Sequence, residues 1–241
     1  MSKQTREAKK KRARSRRRRG WASAAPYVLV VGLAAGIAAA LFLVSAGGGG
    51  SDGAAASHPP GYTPPTLGEA SAPVEFVLWE DFQCPFCKRF TLNTFPDLKR
   101  RFVDTGKVRF VWRNFQRYGS ESFDSGVAAY CAGEQGKFWE YKETLFEHQR
   151  GIQTGAFSRS NLGQFARDLG LDVVAYNECF DGRSEYYLDI MAADRALARD
   201  QGVNGTPSFF INGELVVGAQ PTETFVNIIE SKLRQAGEPE G

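Results

Sequence analysis

Three hydrophobic patterns divide the chain. From Tyr27 to Ala46, YVLVVGLAAGIAAALFLVSA is twenty residues without a charge. At ~1.5 Å of rise per residue it makes a helix of roughly 30 Å, the thickness of a bilayer core. Positions 47–66, GGGGSDGAAASHPPGYTPPT, hold almost no large apolar side chains. That Gly-, Ala- and Pro-rich composition predicts a flexible, partly extended linker. From Leu67 onward the apolar spacing fits folded elements.

The first is a β run, Val74–Trp79, which leads straight into Cys84-Pro85-Phe86-Cys87. Pro is favoured at a first helical position, so a helix is expected to start there. Its continuation KRFTLNTFPDLKRRFVD is amphipathic, and Pro96 predicts a kink. KVRFVWRNF (107–115) reads as the next strand. Residues 120–201 carry apolar positions at three and four spacing, broken by Gly or short polar stretches, and predict several helices. Two further β runs, Ser208–Ile211 and Glu214–Val217, flank Asn212-Gly213, a strong type I′ hairpin signal. A last helix is expected from Pro221. The order is β, α, β, a block of helices, β, β, α, with no internal repeat.

Composition supports one substantial domain plus appendages: 241 residues, 42% hydrophobic and 12% aromatic, are enough for a buried core. The net charge of +3 conceals an asymmetry, because positions 1–20 carry eleven Lys or Arg and one acid, Glu7. Removing these from the chain's 30 basic and 27 acidic residues leaves 19 against 26, so the body is acidic. A basic run can be a nucleic-acid arm. One placed directly before an apolar segment instead holds that end in the cytoplasm and sends the downstream chain across the membrane. Val44-Ser45-Ala46 suits a signal peptidase, which would leave Gly47 first. The apolar run exceeds a usual signal core, which favours an uncleaved anchor. No Cys directly succeeds it, against a lipoprotein, and the arginines leading into Gly20 and Trp21 make a poor twin-arginine signal. Either outcome places 47–241 outside the cytoplasm, where disulfides persist.

Two thiols three positions apart can hold a metal, close a small ring or exchange electrons. A structural zinc needs about four ligands, usually in two close pairs. Cys131, Cys179, His58 and His148 supply no second pair, and His58 falls in the linker, so no metal is expected. A four-residue ring adds little stability, since the loop-closure gain shrinks with loop length. The redox reading suits the position. Cys84 at a helix N-terminus is favoured as thiolate, and Cys87, one turn inward, is the buried partner that resolves a mixed disulfide.

At EDFQCPFCKRF, GKFWEYKETLF and VNGTPSFFING, over roughly Leu67 to Gln235, the sequence resembles the DsbA-like branch of the thioredoxin superfamily. The resemblance implies an α/β thioredoxin-like fold with an inserted helical domain, about 118–202, preceded by one transmembrane helix. The organisation is then a basic cytoplasmic tail (1–25), a membrane helix or signal anchor (26–46), a linker (47–66) and the DsbA-like domain (67–241). It also implies that Thr206-Pro207 is a cis peptide facing the cysteines and binding the substrate chain. Such bonds are essentially confined to X-Pro, and the turn leaves backbone polar groups to pair with an extended client; the alternative is a plain turn before a strand. The best-known member has a His where Phe86 stands. Phe86 offers the Cys84 thiolate neither a hydrogen bond nor a charge, so its pKa would rest on the helix terminus and backbone N–H groups. Glu80 and Asp81, if close, would raise that pKa; one of them is a candidate proton acceptor for Cys87, and the alternative is a solvated strand end.

The even count of cysteines in an oxidising compartment favours a structural disulfide between Cys131 and Cys179. The alternative is two separately buried thiols. Phe138, Trp139, Tyr141 and Phe146 are expected in the core, and His148 on the surface at a helix end.

The expected function is that of an extracytoplasmic, membrane-tethered thiol–disulfide oxidoreductase that introduces disulfides into exported proteins through Cys84 and Cys87. Reduced or unfolded exported proteins are its expected substrates. The resemblance implies a quinone-linked membrane reoxidant, DsbB-like or vitamin K epoxide reductase-like, and no organic cofactor, metal or nucleic acid. A reductase or isomerase of the same fold is the alternative; a non-enzymatic, membrane-tethered interaction domain is the bland one.

Overall fold

A computed structural model describes residues 57–237. The basic tail and the apolar run lie outside the described residues. Among those described, no helix is long and apolar enough to cross a membrane.

The centre is a five-stranded sheet. Its strands are β1 (Thr66–Leu67), β2 (Val74–Glu80), β3 (Val108–Asn114), β4 (Ser208–Ile211) and β5 (Glu214–Val217), in the order β1-β3-β2-β4-β5. β2 and β3 run parallel, Val74 opposite Val108 through Glu80 opposite Asn114, and the other pairs are antiparallel. Alternation sorts the side chains of β2. Val74, Phe76 and Leu78 are fully buried, while Glu75 is exposed and Val77 half-buried. Phe76 stacks on Phe110 at 4.4 Å between centroids, and Phe209 lies 4.5 Å from Phe90. At roughly 2–3 kcal/mol for each fully buried phenylalanine, this cluster is a main anchor of that face. The opposite face carries Trp79, Phe115, Ala198 and Val203. At the hairpin, Asn212 and Gly213 take φ of 44° and 83°, the left-handed pair that a type I′ turn requires.

The helix after β2 starts as α1 (Pro85–Arg89), widens into a π turn (Phe90–Thr94), continues as α2 (Phe95–Leu98) and ends in a second π turn (Lys99–Val103). Helical structure therefore runs through Pro96. The wider turn places the Phe95 N–H on the Phe90 carbonyl, which carries the chain past the proline's missing donor.

The helical block comprises α3 (Ser120–Glu134), α4 (Phe138–His148), α5 (Arg159–Asp168), α6 (Val173–Gly182) and α7 (Ser184–Asp200); α8 (Thr222–Gln235) closes the domain with Pro221 as its N-cap. Cys131 of α3 and Cys179 of α6 are bonded, with Cα atoms 5.7 Å apart. Gly126 lets α3 approach closely, since a Cβ there would lie 2.8 Å from Asn114 Nδ2 and 2.9 Å from Met191 Sδ.

The folded part starts before Leu67. The proline-rich segment expected as linker docks from His58 onward, which corrects that reading for 58–66. His58 Nε2 lies 2.8 Å from Asp194 Oδ1, and the carboxylate of this fully buried Asp194 also accepts from Arg113 at 3.0 Å and the Asn114 N–H at 2.9 Å. Tyr62 packs edge-on to Tyr130. Trp139 Nε1 donates to the Thr66 carbonyl at 2.9 Å, and the Trp112 N–H to that of Pro65 at 2.8 Å. Polar groups that composition marks as solvated thus find partners distant in sequence.

Candidate active site

Cys84 is the N-cap of α1, with φ −75° and ψ 120°, and Pro85 is the first helical residue. Cys87 faces it from the first turn. Both are free thiols and both are buried.

Their environments push the two sulfurs apart. The Cys87 thiol donates to Cys84, and this is the largest influence lowering Cys84; burial opposes it, and the Thr206 side chain and the backbone N–H groups of Cys87 and Phe86 lower it further. Cys84 ends at about 6, against an ordinary 9.0. Cys87 is held well above its ordinary value, by burial first, then by its hydrogen bond to Cys84 and the charge of Glu80. One sulfur is therefore built to carry charge and the other to carry a proton. The helix terminus expected to supply the effect contributes through its N–H groups, but the partner thiol outweighs it.

Thr206-Pro207 is a cis peptide beside Cys84. As a thiol, Cys84 donates to the Thr206 carbonyl at 3.3 Å. The Thr206 hydroxyl is buried with no other partner and is placed to donate once the sulfur ionises. The turn is held by Arg117 Nη1 on the Asn204 carbonyl at 2.7 Å and by the Gly218 N–H on the Pro207 carbonyl at 2.8 Å. Phe86 projects outward, 54% exposed, with the Arg89 guanidinium 5.2 Å from its ring centroid.

Glu80 and Asp81 are both buried, which corrects the solvated strand end. Glu80 Oε2 lies 2.9 Å from Lys142 Nζ and accepts from Trp112 Nε1 at 3.0 Å, and Thr91 Oγ1 donates to Oε1 at 3.2 Å. Lys142 also donates to Thr91 Oγ1 at 2.8 Å. Asp81 accepts the N–H of Gln83 at 2.7 Å and of Arg117 at 2.5 Å, with the Ser122 hydroxyl 2.8 Å from both oxygens. Burial raises its pKa, and these donors oppose the rise.

Lys142, Thr91, Gln83 and Gln149 are site residues that sequence reasoning does not single out. For Lys142 a signal exists: it falls on the stripe Phe138, Tyr141, Leu145, Phe146, all buried, so a charge there needs a buried partner. Cys131–Cys179 stands apart as a bridge within the helical block. His148 is exposed, with its ring 4.5 Å from that of Phe165. Among the described residues no group of His, Cys, Asp and Glu could hold a metal ion.

A family model described as Thioredoxin matches residues 62–231. The Na(+)/H(+) antiporter NhaA 1 of Mycolicibacterium vanbaalenii is 30% identical over 169 residues, covering 69% of this chain and 26% of that protein. The chain thus spans about a quarter of the length of the antiporter relatives it matches. Disulfide bond formation protein D of Bacillus subtilis is 27% identical over 176 residues, covering 70% of this chain and 77% of that one. The crystal structure of oxidised BdbD from Bacillus subtilis superposes with a TM-score of 0.65 at 26% identity, over 71% of this chain and 93% of that chain. Wolbachia pipientis alpha-DsbA1 shares the fold, with a TM-score of 0.64 at 23% identity over 75% of this chain and 94% of that one.

Proposed function

The chain belongs to the thioredoxin family, and from that premise we propose that it is an extracytoplasmic thiol–disulfide oxidoreductase working through Cys84 and Cys87. The observation that carries this is the pair of free, buried thiols at the start of α1, with Cys84 Sγ 3.3 Å from the Thr206 carbonyl of the cis Thr206-Pro207 turn; their surroundings lower Cys84 to about 6 and raise Cys87. With the pair oxidised, a client thiolate attacks Cys84 Sγ and the Cys84–Cys87 bond breaks. The electron pair leaves on Cys87, whose raised pKa takes up a proton at once. A second client thiolate then attacks the client sulfur of the mixed disulfide and expels Cys84 as a stable thiolate. The client has lost two electrons and gained a disulfide; of its two protons, one rests on Cys87 and one enters solvent.

Glu80 is the proposed proton relay for Cys87, since its charge acts on that sulfur and Lys142 keeps the carboxylate paired. Thr206 and Pro207 are the proposed client-binding edge, and Cys131–Cys179 the structural staple of the helical block. Turnover requires a reoxidant, proposed as a quinone-linked membrane protein, and the substrates as reduced exported proteins. The charge-free run 27–46 behind a basic tail supports membrane tethering with the catalytic domain outside. Both the oxidase and the reductase use this chemistry. A stabilised thiolate favours the reduced pair and hence client oxidation, whereas the Phe86 side chain, which adds no donor or charge to the backbone N–H groups already on that thiolate, favours the reverse flow.

Equilibration of the pair with glutathione and oxidation of a reduced, unfolded client test the reading. Client oxidation with a potential above the glutathione pool is expected. A potential near the ~−270 mV of thioredoxin would reverse the direction, and unchanged activity in Cys84→Ser would end the redox reading.

A further inference from the structure

With Phe86 turned outward, Cys84 faces the opposite turn. Thr206 lies across from it, its carbonyl 3.3 Å from the sulfur and its buried hydroxyl without another partner. The distance between turn and sulfur therefore bears on the chemistry. From Ser208 onward β4 is fixed by the sheet, where Ser208 pairs with Trp79. Asn204 to Pro207 precede that ladder. Ser208 Oγ donates to the Gly205 carbonyl at 2.8 Å, and the Gly218 N–H to that of Pro207 at 2.8 Å. Both donors belong to the β4–β5 hairpin, so they hold the turn to its own hairpin and not to the cysteines.

Arg117 ties the turn to the cysteine loop. Its backbone is anchored there: buried Asp81 accepts the Arg117 N–H at 2.5 Å, and buried Gln83 donates from Nε2 to the neighbouring Tyr118 carbonyl at 2.8 Å. Gln83 directly precedes Cys84. Gln149 Nε2 holds the same loop from the other side, on the carbonyls of Phe82 and Cys84 at 2.6 and 3.0 Å. From this fixed backbone the Arg117 side chain passes the Phe115 ring, with its guanidinium 5.6 Å from the centroid, and Nη1 donates to the Asn204 carbonyl at 2.7 Å. Asn204 stands two residues before Thr206. Among the described residues, apart from the contact of Cys84 itself with Thr206, this is the hydrogen bond that joins Asn204–Pro207 to the cysteine side.

We propose that Arg117 is the positioning residue that sets the spacing between the cis Thr206-Pro207 turn and Cys84, and through that spacing how strongly the cysteine pair favours its reduced form. This rests on the thiol–disulfide reading of Cys84 and Cys87. The reduced pair carries a charge on Cys84 that the Thr206 hydroxyl is placed to meet, and the oxidised pair carries none. Holding the turn close thus stabilises the reduced protein alone and favours taking electrons from a client. Arg117 does from the turn what the Phe86 side chain does not do from the helix.

The test compares the full chain with Arg117→Met, which keeps an unbranched side chain and deletes its donors. Arg117 is exposed, so the variant is expected to fold. Two quantities are measured on each protein. One is thiolate absorbance of the reduced form against pH. The other is the equilibrium in which two glutathione thiols reduce the Cys84–Cys87 disulfide and leave as one glutathione disulfide. The variant is expected to hold the Cys84 thiolate roughly two- to tenfold less favourably, the size of one hydrogen bond, so its titration midpoint rises. Above that midpoint its disulfide becomes harder to reduce by a similar factor. Arg117→Lys, which keeps a donor and the charge, restores part of both. In ~1 M salt, where the Debye length falls to about 3 Å, the field of the exposed guanidinium is screened and the difference persists. A difference that vanishes in salt overturns the positioning role and leaves a field effect in its place. Equal midpoints and equal equilibria overturn the proposal and leave the redox reading standing. An equal loss of urea stability in the oxidised and reduced forms, with neither quantity moved, assigns Arg117 to the fold alone and overturns it as well. An unaltered protein whose cysteine pair does not exchange with glutathione removes the thiol–disulfide reading, and the proposal with it.

Discussion

Glu80 and Lys142 meet 2.9 Å apart beneath the cysteine loop, at 0% and 1% side-chain exposure. They come from different layers, Glu80 from the end of β2 and Lys142 from the middle of α4 in the helical block. The block therefore supplies the cation that lets the strand end keep a carboxylate in the core.

Removing one partner strands a charge. Lys142→Met is expected to cost about 3–5 kcal/mol, because Glu80 would keep only its neutral donors Trp112 and Thr91. The double variant Glu80→Gln/Lys142→Met should recover much of that loss. Urea denaturation of the three proteins measures it. Recovery of stability without recovery of Cys87 resolution rates would support the relay role of Glu80.

Cys84 gives a pH dependence with a definite sign. Its folded value of about 6 lies below the ordinary 9.0. The thiolate thus adds stability to the reduced protein that is fully present above about pH 9 and lost as pH falls through 6. The oxidised protein lacks this group. The reduced form should therefore gain urea stability on the oxidised form between these limits, and thiolate absorbance should titrate near 6. Thr206→Val, which deletes the hydroxyl placed to donate to the sulfur, should raise that midpoint.

The Cys131–Cys179 bridge spans 48 positions. In the chain-entropy picture a loop of that length contributes about 4 kcal/mol. Replacing both cysteines with Ala should cost of that order in thermal or urea unfolding, with Cys84 still titrating near 6. A shift of that midpoint would mean that the bridge also shapes the cysteine loop.

Starting the domain at Leu67 deletes His58, Tyr62 and the Thr66 carbonyl that Trp139 donates to. Buried Asp194 and half-buried Trp139 each lose a partner, for a combined loss of roughly 2–4 kcal/mol. His58→Ala alone should take about 1 kcal/mol, because Arg113 and the Asn114 N–H remain on Asp194. Equal stability from either start would return 58–66 to the linker.

The elements are legible where short-range chemistry decides them. Strand alternation at Val74–Leu78, the Asn212-Gly213 turn and the three-and-four spacing of Phe138 to Phe146 depend on neighbours a few residues away. The segment His58–Thr66 escapes such reasoning because composition averages over it. Prolines and one tyrosine resemble a linker until Trp112 and Trp139 come within hydrogen-bonding distance.

By itself the sequence determined the order of elements, the paired thiols Cys84 and Cys87 at a helix start, and the Thr206-Pro207 turn opening β4. Each is a local feature, set by backbone preference and by spacing along the chain. Only the tertiary structure decided what surrounds those sulfurs. Periodicity marks which face of α4 is buried, but it does not name what that face meets. Packing brought Lys142 to Glu80, Gln149 to the Cys84 carbonyl and Thr206 to the Cys84 sulfur, across 65 to 122 positions in the two hydrogen bonds at Cys84. Burial then made those contacts count, since a charge or an unpaired donor taken out of water acts strongly on its nearest neighbour.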